Sequence, residues 1–84
     1  MIALTLYSRP GCHLCDEMKA VVRRVTAEAP VPVTVEEVNI EGNADLERLY
    51  GLEIPVLLAD GKKAAKYRIT RDALLRLILA TPRD

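Results

Sequence analysis

Apolar positions along this chain alternate between short, nearly continuous runs and helical spacing, which predicts strands and helices in turn. Ile2-Ala3-Leu4-Thr5-Leu6-Tyr7 is a short apolar run stopped by Ser8-Arg9-Pro10-Gly11, four residues suited to a turn, and it reads as a buried strand. Leu14, Met18, Val21, Val22 and Val25 then recur at helical spacing, with Glu17, Lys19, Arg23 and Arg24 largely elsewhere on the wheel. They predict a helix from about His13 to Glu28. Pro30 and Pro32 stop it and open the β-branched run Val33-Thr34-Val35, which continues through Val38 and Ile40 as a second strand.

Gly42-Asn43 makes a turn, and Leu46, Leu49 and Tyr50 give a short amphipathic helix with Gly51 as its C′ residue. Pro55 to Ala59 and Lys63 to Tyr67 read as two strands flanking Asp60-Gly61, a strong hairpin signal. Thr70 caps a last helix in which Ala73, Leu74, Leu77 and Ile78 face inward, and Pro82 ends it. Leu75 and Leu79 widen its apolar face, which favours a helix wedged into the core over a dimer surface. The order βαβαββα predicts an α/β fold: a parallel βαβ unit, a hairpin and a closing helix, giving a four-stranded mixed sheet with helices on both faces.

Composition sharpens this picture. With 84 residues, positions 1–84 form one domain with a modest core. No Phe or Trp is present, and the aromatics are Tyr7, Tyr50 and Tyr67, so the core is aliphatic. Twelve basic residues balance twelve acidic ones, so the electrostatic footprint of a nucleic-acid binder is missing, and Arg23-Arg24 and Lys62-Lys63 read as solvated surface. Met1 leads straight into the first strand without a charged n-region, and its apolar run is too short for a signal peptide or a membrane span. The expectation is a cytosolic protein, monomeric, with no membrane partner.

The two cysteines, the only ones in the chain, stand as Cys12-His13-Leu14-Cys15 between the first strand and the first helix. For two cysteines placed at random, this spacing arises roughly 2% of the time, so it is informative. In a cytosol that keeps thiols reduced, such a pair is more plausibly catalytic or sensory than a permanent bridge. A turn entering a helix aims free N–H groups and the positive end of the macrodipole at the first sulfur and favours its thiolate. Cys12 is therefore expected to attack and Cys15 to resolve. An inert buried pair is the bland alternative. A closed zinc site wants about four ligands, and Cys12, Cys15 and His13 have no second cluster to join, so no metal is expected within one chain. Asp16 lies one helical turn beyond Cys12, where it either serves the helix dipole or opposes the thiolate. His13 is either a bystander in a surface turn or an electrostatic aid.

The segment Leu6-Tyr-Ser-Arg-Pro-Gly-Cys-His-Leu-Cys-Asp-Glu-Met18 resembles the active-site segment of the glutaredoxins, within the thioredoxin superfamily. The chain is similar over nearly its whole length to short, mostly bacterial glutaredoxin-like proteins, with Ile54-Pro55 and Asp60-Gly61 where that family has them. The resemblance implies a thioredoxin-like fold and thiol–disulfide exchange, with Cys12 attacking and Cys15 resolving. It places Arg9 where glutaredoxins carry a basic residue that stabilises the thiolate or pairs with a glutathione carboxylate. A cation near a thiol favours the thiolate on physical grounds as well, while a plain surface arginine is the other reading. By spacing alone Pro55 would be a trans proline opening an edge strand. The resemblance instead implies a cis proline beside the dithiol, leaving the Ile54 backbone to pair with an extended thiol substrate.

The chain also departs from that pattern. His13-Leu14 replaces the Pro-Tyr common between glutaredoxin cysteines, and Glu53 replaces a Thr before the Val-Pro pair. The Gly-Gly and acidic turn that grips the γ-glutamyl end of glutathione is represented by Tyr67-Arg68-Ile69-Thr70-Arg71-Asp72. Weak glutathione recognition is the expectation. No cofactor is expected to be built in; glutathione or another thiol donor would be a cosubstrate, a thioredoxin-type reductant is the other source of electrons, and substrates would be protein or small-molecule disulfides. Two rival functions are a non-catalytic redox sensor and an iron–sulfur carrier in which Cys12 of two chains and two glutathiones hold a cluster.

Overall fold

β1 (Ile2–Ser8) takes an interior place in the sheet because its alternate residues Ile2, Leu4 and Leu6 are all large and aliphatic and are fully buried. In the computed structural model, which describes residues 2–80, the order of elements is β1, α1 (His13–Glu28), β2 (Val33–Asn39), α2 (Ala44–Tyr50), β3 (Val56–Ala59), β4 (Lys62–Lys66) and α3 (Arg71–Ala80). Met1 and Pro82, invoked above as chain start and helix stop, lie outside the described residues. The sheet order is β2-β1-β3-β4. β1 pairs parallel with β2, Ile2 opposite Val33, and antiparallel with β3, Tyr7 opposite Val56; β3 and β4 are antiparallel. This is the mixed sheet that the pattern predicts.

α1 and α3 cover one face. Met18, Val22 and Val25 of α1 and Leu74 and Ile78 of α3 pack with Ile2, Leu4, Leu6 and Leu57 into one aliphatic cluster. Burial of each such side chain stabilises the fold by about 1.5–3 kcal/mol. α2 buries no residue completely and meets the other face through Tyr50, whose ring stacks on Tyr7 at 4.6 Å between centroids. Helices therefore lie on both faces, but one face carries nearly all of the core.

Several boundaries move. β1 runs one residue further, through Ser8, because Ser8 accepts the Ile40 N–H at 2.9 Å and continues the ladder with β2. β2 stops at Asn39, although Ile40 just beyond it is fully buried. β3 starts at Val56, after Pro55. β4 starts at Lys62 and stops before Tyr67, whose φ of +67° turns the chain out of the strand. Between them Asp60 and Gly61 both take positive φ, 49° and 83°, the mirror-image turn that matches strand twist. Gly51 is a correction: it is not a left-handed C′ residue but a right-handed C-cap with φ −54°. Glycine suits it because a Cβ there would run into the Glu47 carbonyl oxygen. Ala73, expected inside, is exposed, whereas Leu74 and Ile78 are buried and Leu75 and Leu77 pack partly against the core. Thr70 does cap α3, its hydroxyl accepting the Ala73 N–H at 3.1 Å. No helix among the described residues is long and apolar enough to cross a membrane.

Because Leu74 is fully buried and Leu79 is 52% exposed, Leu74→Ala is expected to cost about 2–5 kcal/mol and Leu79→Ala to stay within about 0.5 kcal/mol. Urea unfolding of both variants checks this, and equal losses would refute the assignment of the two faces. A second prediction concerns pH. Arg71 bridges from α3 to Glu28 at the end of α1, Nη2 to Oε2 at 2.6 Å, and its hydrogen bond holds the Glu28 carboxyl below the ordinary 4.5. A depressed folded pKa contributes stability above the unfolded value that is lost as pH falls through the folded one. The urea midpoint of the native protein should therefore fall more steeply below about pH 4.5 than that of Glu28→Gln. Identical acid limbs would exclude the bridge as a contributor.

Candidate functional site

β1 delivers the chain from the middle of the sheet into a turn closed by the Cys12 N–H, which donates to the Arg9 carbonyl at 3.3 Å. Cys12 is the N-cap of α1, with extended φ −87° and ψ 111°. Its carbonyl accepts the Asp16 N–H at 3.1 Å, and its Sγ accepts the Cys15 N–H at 3.1 Å. The sulfur thus takes the place usually held by a capping hydroxyl or carboxylate, where an unsatisfied N–H of the first turn points at it. Cys15 lies on the inward face of α1 with Met18, Val22 and Val25 and is 1% exposed. Cys12 remains partly exposed. The two sulfurs are in disulfide contact, with Cα atoms 5.2 Å apart. Helix register has made one sulfur reachable and sealed the other.

The other sequence candidates fall around this pair with different commitments. His13 and Asp16 are exposed in the first turn of α1. The Arg9 guanidinium is turned toward α2, where it pairs with Glu47 at 3.4 Å. The Ile54-Pro55 peptide is cis; Pro55 is buried and Ile54 half-buried. Since Val56 opposes Tyr7, the Ile54-Pro55 loop and the Arg9–Cys12 turn leave the sheet at the same end. Arg9, Cys15 and Asp16 share a shallow groove of about 250 Å³ with Lys19, Glu37 and Asn39. A larger groove of about 600 Å³, lined by Met18, Val21, Ala64, Ala65 and Leu77 among others, holds neither cysteine. Among the described residues no group of three or more His, Cys, Asp or Glu is arranged to hold a metal ion.

The segment before the proline is held from β4. Lys63 Nζ meets Glu53 Oε1 at 2.6 Å and lies 5.8 Å from the centre of the Tyr50 ring. The hydrogen bond from Lys63 holds the Glu53 carboxyl below its ordinary value, and the same bond raises the Lys63 ammonium. Tyr67 donates its hydroxyl to the Leu52 carbonyl at 3.0 Å and its N–H to the Pro55 carbonyl at 2.9 Å. Sequence reasoning missed Lys63 and Glu47 as partners. Lys63 reads as one member of a solvated basic pair, and only the hairpin register turns it toward Glu53. The unusual Glu53 was the available signal, because an acid beside a reacting cleft invites a search for its counter-charge.

The family described as Glutaredoxin-like domain (DUF836) matches residues 3–79. A protein named thioredoxin from Methanocaldococcus jannaschii is 30% identical over 78 residues, covering 92% of each chain. A glutaredoxin-like protein of Dictyostelium discoideum, described as a YDR286C homolog, is 32% identical over 78 residues, 87% of this chain and 71% of that one. Among solved structures, the X. campestris protein XcR50 superposes with a TM-score of 0.77 at 33% identity, covering 94% of this chain and 99% of its own. The fold is thioredoxin-like.

The unequal exposure of the two sulfurs leads to a direct prediction. In the reduced protein at neutral pH, brief iodoacetamide treatment followed by peptide mapping should find Cys12 labelled well ahead of Cys15. Preferential labelling of Cys15 would reverse the assignment of roles.

Proposed function

The chain belongs to the glutaredoxin-like domain family of the thioredoxin superfamily, and we propose that it is a small thiol–disulfide oxidoreductase, working as a monomer in the cytosol. The observation that carries this reading is the asymmetry of the pair: Cys12 Sγ caps a helix and receives an N–H, while Cys15 is sealed one turn away. In the reduced protein, the N-terminal N–H groups and the helix dipole stabilise negative charge on Cys12, and the buried Cys15 does not compete for substrate.

The Cys12 thiolate attacks one sulfur of a disulfide R–S–S–R′. A Cys12–S–S–R bond forms, the substrate S–S bond breaks, and R′ leaves as a thiolate that takes up a proton. Cys15 then loses its proton and attacks the Cys12 sulfur, closing the Cys12–Cys15 disulfide and expelling R as the second thiolate. Two electrons have passed from the dithiol to the substrate. A thiol donor, glutathione or a thioredoxin-type reductant, returns them by the reverse chemistry. The 5.2 Å between the cysteine Cα atoms suits the closing step, since disulfides commonly span about 4.4–6.8 Å.

Around this pair, Ile54 lies just outside the β3 ladder, and in this reading its backbone pairs with the extended chain that carries the substrate sulfur. In this reading His13 at the start of α1 favours the Cys12 thiolate, Asp16 meets the helix dipole, and Arg9, held on the α2 side by its pair with Glu47, borders the cleft. Protein disulfides are the favoured substrates, and glutathione is a poor thiol donor to the oxidised protein. The N–H groups of Tyr67 and Arg68, at the place of a glycine-built carboxylate nest, already donate to the Pro55 and Lys66 carbonyls.

Cys15→Ser is expected to accumulate a mixed disulfide through Cys12 when mixed with a protein or small-molecule disulfide, because the expelling thiol is gone. Intact-protein mass spectrometry detects the adduct, and Cys12→Ser should form none. A Cys15→Ser protein that traps nothing would refute the exchange mechanism. Quenched-alkylation kinetics with glutathione on the oxidised protein should show weak saturation, and tight saturation would reverse the stated substrate preference.

A further inference from the structure

We propose that Lys63 is a specificity-determining residue that neutralises Glu53 beside the Ile54-Pro55 loop and thereby sets which charge of disulfide the site accepts. The inference rests on the thiol–disulfide reading above and adds to it a substrate class. Glu53 directly precedes the residue proposed to pair with the substrate chain, and its position is fixed on several sides. Its N–H donates to the Tyr50 carbonyl at 2.8 Å, while the neighbouring Leu52 and Pro55 carbonyls are both tied to Tyr67. These bonds fix the backbone from which the Glu53 side chain springs, and Lys63 is the group that holds its carboxylate. Lys63 reaches it from β4 at 2.6 Å, with its ammonium also against the electron-rich face of Tyr50. Their hydrogen bond favours the charged form of both groups, so both are ionised at neutral pH.

An exposed pair of this kind contributes little to stability, and its consequence lies in the field it removes. With the pair intact, an approaching substrate meets a short dipole. With the ammonium gone, it meets a full negative charge next to the reacting loop. At about 7 Å in a water-like dielectric, one unit of substrate charge then changes its encounter by about threefold, less at high salt. Of the other charges at this end, Arg9 pairs with Glu47 and Lys19 with Glu37, His13 and Asp16 are exposed in the first turn of α1, and Lys66 also acts on Glu53 through space, so Lys63 is the direct partner of that carboxylate and Lys66 a weaker, more distant one.

The test measures second-order rates of reduced protein with three small disulfides of similar size, by quenching and alkylation at low ionic strength. They are anionic dithiodipropionate, neutral bis(2-hydroxyethyl) disulfide and cationic cystamine. In Lys63→Met the anionic substrate should slow by about threefold per unit charge, the cationic one should speed up by as much, and the neutral one should be unchanged. Glu53→Gln should shift the order the opposite way, and the double variant should return it to that of the native protein. Iodoacetamide is neutral and reads the Cys12 thiolate itself, so each rate is divided by the Cys12 labelling rate of the same protein, and the charge ranking should persist after that division, which a general disturbance of the site would not give. An unchanged charge ranking across the variants would overturn the inference while leaving the exchange chemistry standing. Failure of the native protein to reduce any of the three would instead remove the exchange chemistry itself.

Discussion

The packing of α1 onto β1 is the constraint on which the rest of the structure depends. Ile2, Leu4 and Leu6 offer one continuous aliphatic row, and Met18, Val22 and Val25 meet it. With no Phe or Trp available, no single large ring dominates the core, and the helix is held by many small contacts. That contact fixes the rotation of α1 about its axis. Cys15, one turn before Met18 on the same face, is consequently buried, and Cys12 is consequently the cap. The difference between an accessible sulfur and a sealed one follows from the apolar stripe of a helix, without any residue dedicated to that purpose.

A second layer of interactions surrounds the dithiol without entering the core. The Tyr7–Tyr50 stack, the Arg9–Glu47 pair and the Lys63–Glu53 pair join the cysteine turn, α2, the proline loop and β4. These ion pairs are solvent-accessible, so they contribute little to the fold. They lie toward the end of the sheet where the Arg9–Cys12 turn and Ile54-Pro55 emerge. Core and site are thereby separated in energy. The aliphatic cluster supplies stability, and the peripheral charges contribute little to folding.

Tyr67 shows the same division at one residue. Its φ of +67° is unusual for a bulky side chain, and its two hydrogen bonds, to Leu52 and Pro55, hold the backbone in that conformation. The result fastens the proline loop to β4 and occupies backbone donors that a glycine turn would leave open to an anion.

The sequence by itself determined most of what local periodicity and local chemistry govern. The element order, the extent of α1, the Asp60-Gly61 hairpin and the Thr70 cap follow from spacing and from turn and capping residues, which act over a few positions. The Cys12/Cys15 asymmetry was legible for the same reason, since three residues of helix turn one sulfur inward. Only the tertiary structure decided the rest. Gly51 is right-handed and continues the helix ladder, its N–H donating to the Glu47 carbonyl, and Ala73 is exposed although it shares the apolar helix with Leu74. Arg9 found Glu47, 38 positions away, and Lys63 found Glu53 across the β3–β4 hairpin. Long flexible charged side chains carry no periodic signal of their partners; strand register and the angle of α2 choose them, and both are set by burial of the aliphatic core.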